Sequence, residues 1–511
     1  MVHRAPSPEP ESSTSPGGRG CRTSRERFFS PLTTHHSPLT THHSPMFLWQ
    51  TMRNFFEPRG GNQRSGTRRK YATYRALKGE RLEQRFSLST LPSGFVESLV
   101  AGGLSAPTAM ALAPDGRIFV AEQGGSLRVI KDGALLATPF LDVAVNAAGE
   151  RGLLGIAFDP DFALNHFVYV YYTTPSSPIH NRISRFTAQG DIAVAGSENV
   201  ILELDNLSGA TNHNGGAIHF GADEKLYVGV GDNALGSNSQ TLNNRLGKIL
   251  RINSDGTIPQ DNPFFSTAAG ANRAIWAIGL RNPFTFAVDP ANGRMFINDV
   301  GQNTWEEIND GIAGANYGWP QAEGPSTNPA FRSPLFAYGH GTGNSNGCAI
   351  AGGAFYTSEN GPFPDQYDSD YFFADLCNNW IRSFDAASGS ASQFATDLPA
   401  GTVDLFVDPS GSLYYLSRGD GSATGSVFQI EFPTGQNNTP WQNPLNRADV
   451  DGLDGVTTLD ALIVINDLNA NDPRQLPAPT ADDPPPYLDV NGDTFVSPID
   501  ALIVINVLNQ R

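Results

Sequence analysis

Ala109-Met-Ala-Leu-Ala-Pro-Asp115-Gly-Arg-Ile-Phe-Val120 reads as an apolar strand, a turn built on Asp115-Gly116 and a second apolar strand. Asp and Gly supply the turn geometry that reverses a hairpin. The phrase recurs as Gly155-Ile-Ala-Phe-Asp159 with Val168-Tyr-Val-Tyr-Tyr172, and as Ala217-Ile-His-Phe-Gly-Ala-Asp223 with Leu226-Tyr-Val228. It returns as Phe284-Thr-Phe-Ala-Val-Asp289 with Met295-Phe-Ile297, and as Val403-Asp-Leu-Phe-Val-Asp408 with Leu413-Tyr-Tyr-Leu416. A looser copy runs from Ala351-Gly-Gly-Ala-Phe-Tyr356 to Tyr371-Phe-Phe373. Repeated hairpins some tens of residues apart predict an all-β, six-bladed β-propeller, whose closure hides the sheet edges. A β-sandwich or solenoid is the alternative, and the long, irregular connections between repeats argue against it.

Composition agrees with an all-β body. The 511 residues include 53 Gly and 37 Pro, with Asp-rich turns. The net charge is −17 and unevenly spread. Residues 1–86 carry 15 Lys and Arg against 6 Asp and Glu, so the rest of the chain is strongly acidic. An acidic body argues against binding to nucleic acid or an anionic membrane. No run of apolar residues is long enough for a spanning helix.

Up to about Thr90 the chain reads as a disordered leader. Ser30-Pro-Leu-Thr-Thr-His-His36 repeats as Ser37-Pro-Leu-Thr-Thr-His-His43, a tract that cannot bury a core. Met46 or Met52 is a candidate true start. Thr67-Arg-Arg-Lys70 and Leu82-Glu-Gln-Arg-Phe-Ser-Leu88 resemble an N-terminal sorting motif of some bacterial secreted proteins, which points to an exported or cell-surface protein. In that setting Cys348 and Cys377, which bracket one hairpin, read as a disulfide, with two buried thiols as the alternative. The expected organisation is a leader over 1–90, a propeller over 91–433, a linker over 434–442 and a small helical domain over 443–511.

The C-terminal domain repeats itself. Asp449-Val-Asp-Gly-Leu-Asp-Gly-Val-Thr-Thr-Leu-Asp460 enters Ala461-Leu-Ile-Val-Ile-Asn466, and Asp489-Val-Asn-Gly-Asp-Thr-Phe-Val-Ser-Pro-Ile-Asp500 enters Ala501-Leu-Ile-Val-Ile-Asn506. Each is a twelve-residue acidic loop opening an apolar helix, and alternating oxygen ligands along such a loop suit Ca²⁺. The second loop offers Asp489, Asn491, Asp493, the Phe495 carbonyl, Ser497 and Asp500. In the first, Leu453 stands where a ligand is expected and Asp454 follows it, leaving Asp449, Asp451, Asp454, Thr457 and Asp460. An acidic loop that merely caps its helix is the alternative. The Pro-rich stretch Pro473 to Pro486 should be an exposed linker between the helices.

The long loops of the propeller hold its polar chemistry. Asn212-His213-Asn214-Gly215-Gly216 precedes one strand and Gly231-Asp232-Asn233 ends the next. A His beside a carboxylate at strand ends can serve as a base near neutral pH. Gly279-Leu-Arg281-Asn282-Pro283 brings a cation and an amide to another blade. Asp299-Val-Gly301-Gln302-Asn303-Thr-Trp305 is a loop whose carbonyls could hold a cation. Singly, His213 could be a turn histidine, Asp232 a turn cap and Arg281 a salt bridge between blades.

The paired C-terminal loops resemble a dockerin, with Asp at the twelfth position of both. That resemblance implies a cohesin, on another protein or at the cell surface, as partner. Residues from about Gly103 to Phe432 resemble the soluble quinoprotein sugar dehydrogenases, the glucose/sorbosone dehydrogenase family. The phrases that carry this are Glu150-Arg-Gly-Leu-Leu-Gly155, His213-Asn-Gly-Gly, Leu246-Gly-Lys-Ile-Leu-Arg251, Gly279-Leu-Arg-Asn-Pro-Phe284 and Asn316-Tyr-Gly-Trp-Pro320. The resemblance implies a six-bladed propeller with pyrroloquinoline quinone (PQQ) and Ca²⁺ in its mouth. It would oxidise an aldose or oligosaccharide at the anomeric carbon to a lactone and pass electrons to a further acceptor. His213 would take the sugar hydroxyl proton, Asp232 would support it, and Arg281 would stabilise the oxyanion developing on the quinone. Glu150 and Asn282 would touch the cofactor, and the Gly301 and Gln302 carbonyls would hold its Ca²⁺. The family's Lys and Arg clamps for the quinone carboxylates have no counterpart in Asp375-Leu-Cys377-Asn-Asn-Trp380 or Ala400-Gly-Thr-Val-Asp404. Arg382 and Arg418 are the candidate substitutes. A propeller that binds glycan or protein without catalysis, having lost the quinone, is the competing reading.

Overall fold

A computed structural model describes residues 89–357, 361–433, 441–443, 446–453, 455–477, 486–491 and 495–509. The leader up to residue 88 and the candidate ligands Asp454 and Asp493 lie outside the described residues.

Six antiparallel sheets form a six-bladed propeller. The strands that open the blades are Pro107–Leu112, Leu153–Phe158, Ile218–Phe220, Pro283–Val288, Ile350–Phe355 and Thr402–Val407, in blades one to six. Each contacts its counterpart in the next blade, and blade six contacts blade one, so these strands line the axis. Blade six takes its outermost strand from the other end of the propeller: Val96–Leu104 pairs antiparallel with Gly425–Glu431, from Val96 opposite Glu431 to Leu104 opposite Gly425. Ring closure therefore rests on a strand far removed in sequence from its partner. That pairing is absent from the repeated phrase and could not be read from it.

The Asp of each phrase has one shared physical role. Asp115, Asp159, Asp223, Asp289 and Asp408 each accept, through Oδ1, the N–H two residues ahead, at 2.9–3.3 Å. These Asx turns reverse the chain between the first and second strands of five blades. Apolar side chains from facing blades fill the gaps between sheets. Phe119, Val129, Val168 and Val170 pack together between blades one and two, and Phe372, Phe394, Tyr415 and Phe428 between five and six. Burying each such side chain stabilises by roughly 1.5–3 kcal/mol, which is how long, irregular loops are tolerated around a rigid ring.

The C-terminal residues form the helices Thr458–Asn471 and Pro498–Asn509 around a small core of Val450, Val464, Val490, Val496 and Val504. Thr457 caps the first helix, in a capping box with Asp460. The expected exposed linker from Pro473 to Pro486 begins differently. Arg474–Gln475 pairs with Phe495–Val496 as a short ladder, and Leu476 is buried in the same core. Burial of Leu476 and Val496 draws this stretch inward despite its prolines; residues 478–485 lie outside the described residues. Among the described residues no helix is long and apolar enough to cross a membrane.

Candidate active site and calcium loops

His213 sits in the loop before the inner strand of blade three. Its φ of 57° places it in the left-handed region, and Gly231 makes that conformation possible. A Cβ on Gly231 would stand 2.2 Å from the His213 carbonyl oxygen, so only glycine lets the two loops close. The His213 N–H donates to Glu150 Oε2 at 2.6 Å, and the Gly215 N–H donates to Asn282 Oδ1 at 3.0 Å. The His213 ring meets Asp232 at 2.7 Å from Nδ1 to Oδ1.

Asp232 is fully buried and fully engaged. Its Oδ1 also accepts the Ala234 N–H at 2.7 Å, and its Oδ2 accepts the indole N–H of Trp319 at 2.8 Å. A carboxylate so fixed can only accept, so it holds the proton on His213 Nδ1. The Nε2 lone pair, which bonds none of the described residues, is left free as a base.

Arg281 and Asn282 form the turn into blade four. Asp299 anchors this turn by accepting both backbone N–H groups, at 2.9 and 2.7 Å. Burial, with repulsion from Glu307 across the strand, pushes the Asp299 carboxyl well above the usual carboxylate range. The Arg281 guanidinium donates from Nη1 to the Val300 carbonyl at 2.8 Å and lies 5.7 Å from the Trp319 ring. Its Nε is buried with no hydrogen-bond partner among the described residues.

At the ends of the inner strands lies a cavity of about 190 Å³ whose lining includes Gln123, Glu150, Asn282, Val300, Leu376 and Arg418; His213, Asp232 and Arg281 do not line it, and Glu150 and Asn282 connect it to the His213 loop. Arg418 was one of two candidate cations for this region, and it lines the cavity. Its guanidinium donates to the Ala106 and Pro107 carbonyls at 3.1 and 3.0 Å and to Gln123, all uncharged acceptors. Arg382, the other candidate, does not line it. Its guanidinium donates to the Ala391 carbonyl and packs on Phe336 and Trp380, between blades four and five. Arg418 lines the cavity and has no carboxylate partner among the described residues, which fits an occupant that carries carboxylates.

Gly301 and Gln302 do not line the cavity. The N–H groups of Gln302, Asn303, Thr304 and Trp305 converge on Glu323 Oε1 at 2.8–3.3 Å, and that of Gly301 reaches Glu306. Burial would raise Glu323, but these four bonds outweigh it and hold the carboxyl below its ordinary value. Sequence reasoning missed Trp319 and Glu323 as parts of this site. Trp319 stood in the phrase Asn316-Tyr-Gly-Trp-Pro320, but its contact with Asp232 spans 87 residues and no spacing announces it.

Cys348 and Cys377 are joined, with Cα atoms 5.8 Å apart. Their neighbours Ala349 and Leu376 line the cavity. Asp375 ties both cysteines into the wall, accepting the N–H groups of Cys348, Ala349, Cys377 and Asn378 at 2.9–3.1 Å.

In the first C-terminal loop Asp449, Asp451 and Asp460 bring carboxylate oxygens within 4.8 Å of one another. Asp449 Oδ1 is buried with no hydrogen-bond partner among the described residues, and burial with the nearby Asp460 raises its carboxyl. Converging carboxylates with an orphaned oxygen fit a hard cation such as Ca²⁺. Asp460 and Asp500 play matching parts, accepting the N–H and hydroxyl of Thr457 and of Ser497 respectively.

The chain belongs to the glucose/sorbosone dehydrogenase family, whose model matches residues 104–425, and residues 447–509 match the dockerin type I domain. It is 30% identical over 334 residues to the aldose sugar dehydrogenase of Escherichia coli, covering 61% of this chain and 87% of that protein. It is 32% identical over 260 residues to quinoprotein glucose dehydrogenase B of Acinetobacter calcoaceticus, 45% of this chain and 53% of that protein. The match thus spans about half the length of the Acinetobacter relative. Among solved structures, the PQQ-bound aldose sugar dehydrogenase of Streptomyces coelicolor is similar at 27% identity, with a TM-score of 0.55 over 67% of this chain and 99% of that one.

Proposed function

We propose that this protein is an exported sugar dehydrogenase that oxidises an aldose at its anomeric carbon to the lactone and is docked through its dockerin module to a cohesin-like partner. The observation that carries the reading is the His213–Asp232 pair, connected through Glu150 and Asn282 to a cavity lined by Arg418. PQQ, when bound, would supply the acceptor for the hydride that leaves the sugar carbon. His213 Nε2 takes the proton of the anomeric hydroxyl, and Asp232 stabilises the imidazolium that forms. Arg281 offers its unsatisfied Nε–H to developing negative charge, a donor already in place before reaction. Glu150 and Asn282 fix the loop of His213 and would touch the cofactor, and Arg418 would hold a cofactor carboxylate in place of the family's clamps. The Gly301 and Gln302 carbonyls are the proposed ligands of a Ca²⁺ at the mouth. In the dockerin loops, Asp449, Asp451 and Asp460, with their counterparts Asp489, Asn491 and Asp500, hold Ca²⁺.

Leu376 stands in the cavity wall within the stretch where a clamping cation is expected, and this favours a second reading, a propeller that binds glycan or protein without the quinone. One experiment separates the two. Purified protein is supplied with PQQ and Ca²⁺, and dye reduction is followed with a panel of aldoses. Reduction dependent on both sugar and quinone supports the dehydrogenase. Quinone binding and sugar oxidation both absent would leave the binding protein.

A further inference from the structure

The ring axis holds more than the mouth cavity. That cavity and a small central one of about 20 Å³ share Thr108, Leu154 and Phe284. The central cavity and a funnel of about 400 Å³ share Met110, Ile156, His219 and Asp404. The three follow one another along the inner strands, and all six strands contribute to the funnel at the ends remote from the mouth.

Phe158, Phe220, Phe355 and Phe406 stand in the funnel wall. Where it narrows, two polar side chains meet it from opposite blades: Asp404 of blade six and His219 of blade three. Asp404 accepts the Met110 N–H on Oδ2 at 2.8 Å and the Leu405 N–H on Oδ1 at 2.9 Å. Both donors are uncharged, and Asp404 forms no ion pair among the described residues. His219 lies edge-on to Phe286 at 4.8 Å, and its ring nitrogens bond none of the described residues. Burial pushes Asp404 up to about 7 and His219 down to about 4, so the imidazole is neutral.

Above about pH 7 Asp404 is an ionised carboxylate without counter-charge among the described residues, at the base of a funnel of mixed polarity, and this costs free energy that a cation would relieve. A hard metal ion needs several oxygen ligands, and one carboxylate does not provide them. An organic ammonium meets both features of the funnel. Its charge pairs with Asp404, an N–H bonds the neutral imidazole, and its carbon chain lies against the apolar part of the wall. We propose that the funnel opposite the mouth is a second ligand site, for a small organic ammonium ion with an apolar tail, anchored on Asp404 and His219.

Titration calorimetry on the full chain tests this with n-butylammonium chloride as the probe and n-butanol and potassium chloride as companions. The expected result is saturable butylammonium binding, with both companions at least about tenfold weaker, a difference of about 1.4 kcal/mol. Asp404→Asn, compared above pH 7, should weaken butylammonium by about tenfold or more, because the charge pair is lost. Phe406→Ala, in the wall rather than at the base, should weaken it severalfold and gives an independent reading if Asp404→Asn does not fold. No saturable butylammonium binding, equal binding of butanol or potassium, or unchanged affinity in a folded Asp404→Asn or Phe406→Ala variant would overturn the proposal. The site is separate from His213, so the result does not depend on sugar oxidation at the mouth.

Discussion

The Trp319 indole N–H donates to Asp232 Oδ2 at 2.8 Å while Asp232 Oδ1 faces the His213 ring at 2.7 Å. The same indole lies 5.7 Å from the Arg281 guanidinium. One aromatic ring thus touches both the carboxylate behind the proposed base and the proposed oxyanion donor. Trp319→Phe keeps the ring and removes the N–H. Hydrogen bonds to charged groups contribute about 1.5–3 kcal/mol, so turnover should fall by about tenfold or more, with the affinity for quinone little changed. Unchanged turnover in a folded Trp319→Phe variant would restrict Trp319 to packing.

His213→Ala should lower turnover on the order of a hundredfold or more, since general base catalysis typically contributes that much. PQQ binding, followed by absorbance, should survive. Arg418→Ala should do the opposite, weakening quinone binding by on the order of tenfold through loss of a charge-assisted contact. If Arg418→Ala binds the quinone as tightly as the unsubstituted chain, another group anchors the cofactor.

Asp404 gives the fold a pH dependence of its own. It keeps its proton up to about 7 when folded and releases it near 3.8 when unfolded. Between these values the folded state binds more protons, so the Asp404 contribution to stability declines as pH rises through this window and levels off above it. Asp404→Asn cannot titrate. Relative to the unsubstituted protein it should therefore gain stability between pH 4 and 7, by on the order of 1 kcal/mol or more once water in the funnel is allowed for. Denaturant midpoints of the two proteins at several pH values check this, and a constant difference across the window would place the proton elsewhere.

The Cys348–Cys377 bond joins residues 29 apart in sequence. Its loss should destabilise the propeller by about 3 kcal/mol in the chain-entropy description. Because Ala349 and Leu376 line the mouth cavity, reduction should also weaken quinone binding before the blades unfold. Denaturant unfolding and quinone titration with and without reductant measure the two effects. Identical midpoints would remove the stabilising role.

Removal of Ca²⁺ should unfold the C-terminal helices and leave the β-sheet signal intact. Asp449, Asp451 and Asp460 converge with no cationic side chain paired to them among the described residues, and two short helices bury little core on their own. Circular dichroism in excess chelator reads this directly, and helices that persist unchanged would count against metal in these loops.

The sequence alone determined the six blades, because each opens with alternating apolar residues and most turn on an Asp whose side chain bonds the N–H two residues on. These are local interactions, and a local pattern records them. It also proposed His213, Asp232 and Arg281, through the resemblance to the sugar dehydrogenase family, and the two acidic loops, through their repetition. Only the tertiary structure decided that Val96–Leu104 closes blade six, that Leu476 is buried, that Trp319 holds Asp232, that Arg418 rather than Arg382 lines the mouth cavity, and that Asp404 and His219 line one central cavity from opposite blades. Those relationships join residues distant in the chain, and closure of the ring sets them. Their spacing in sequence reflects the lengths of the intervening blades, so no period or motif could carry them.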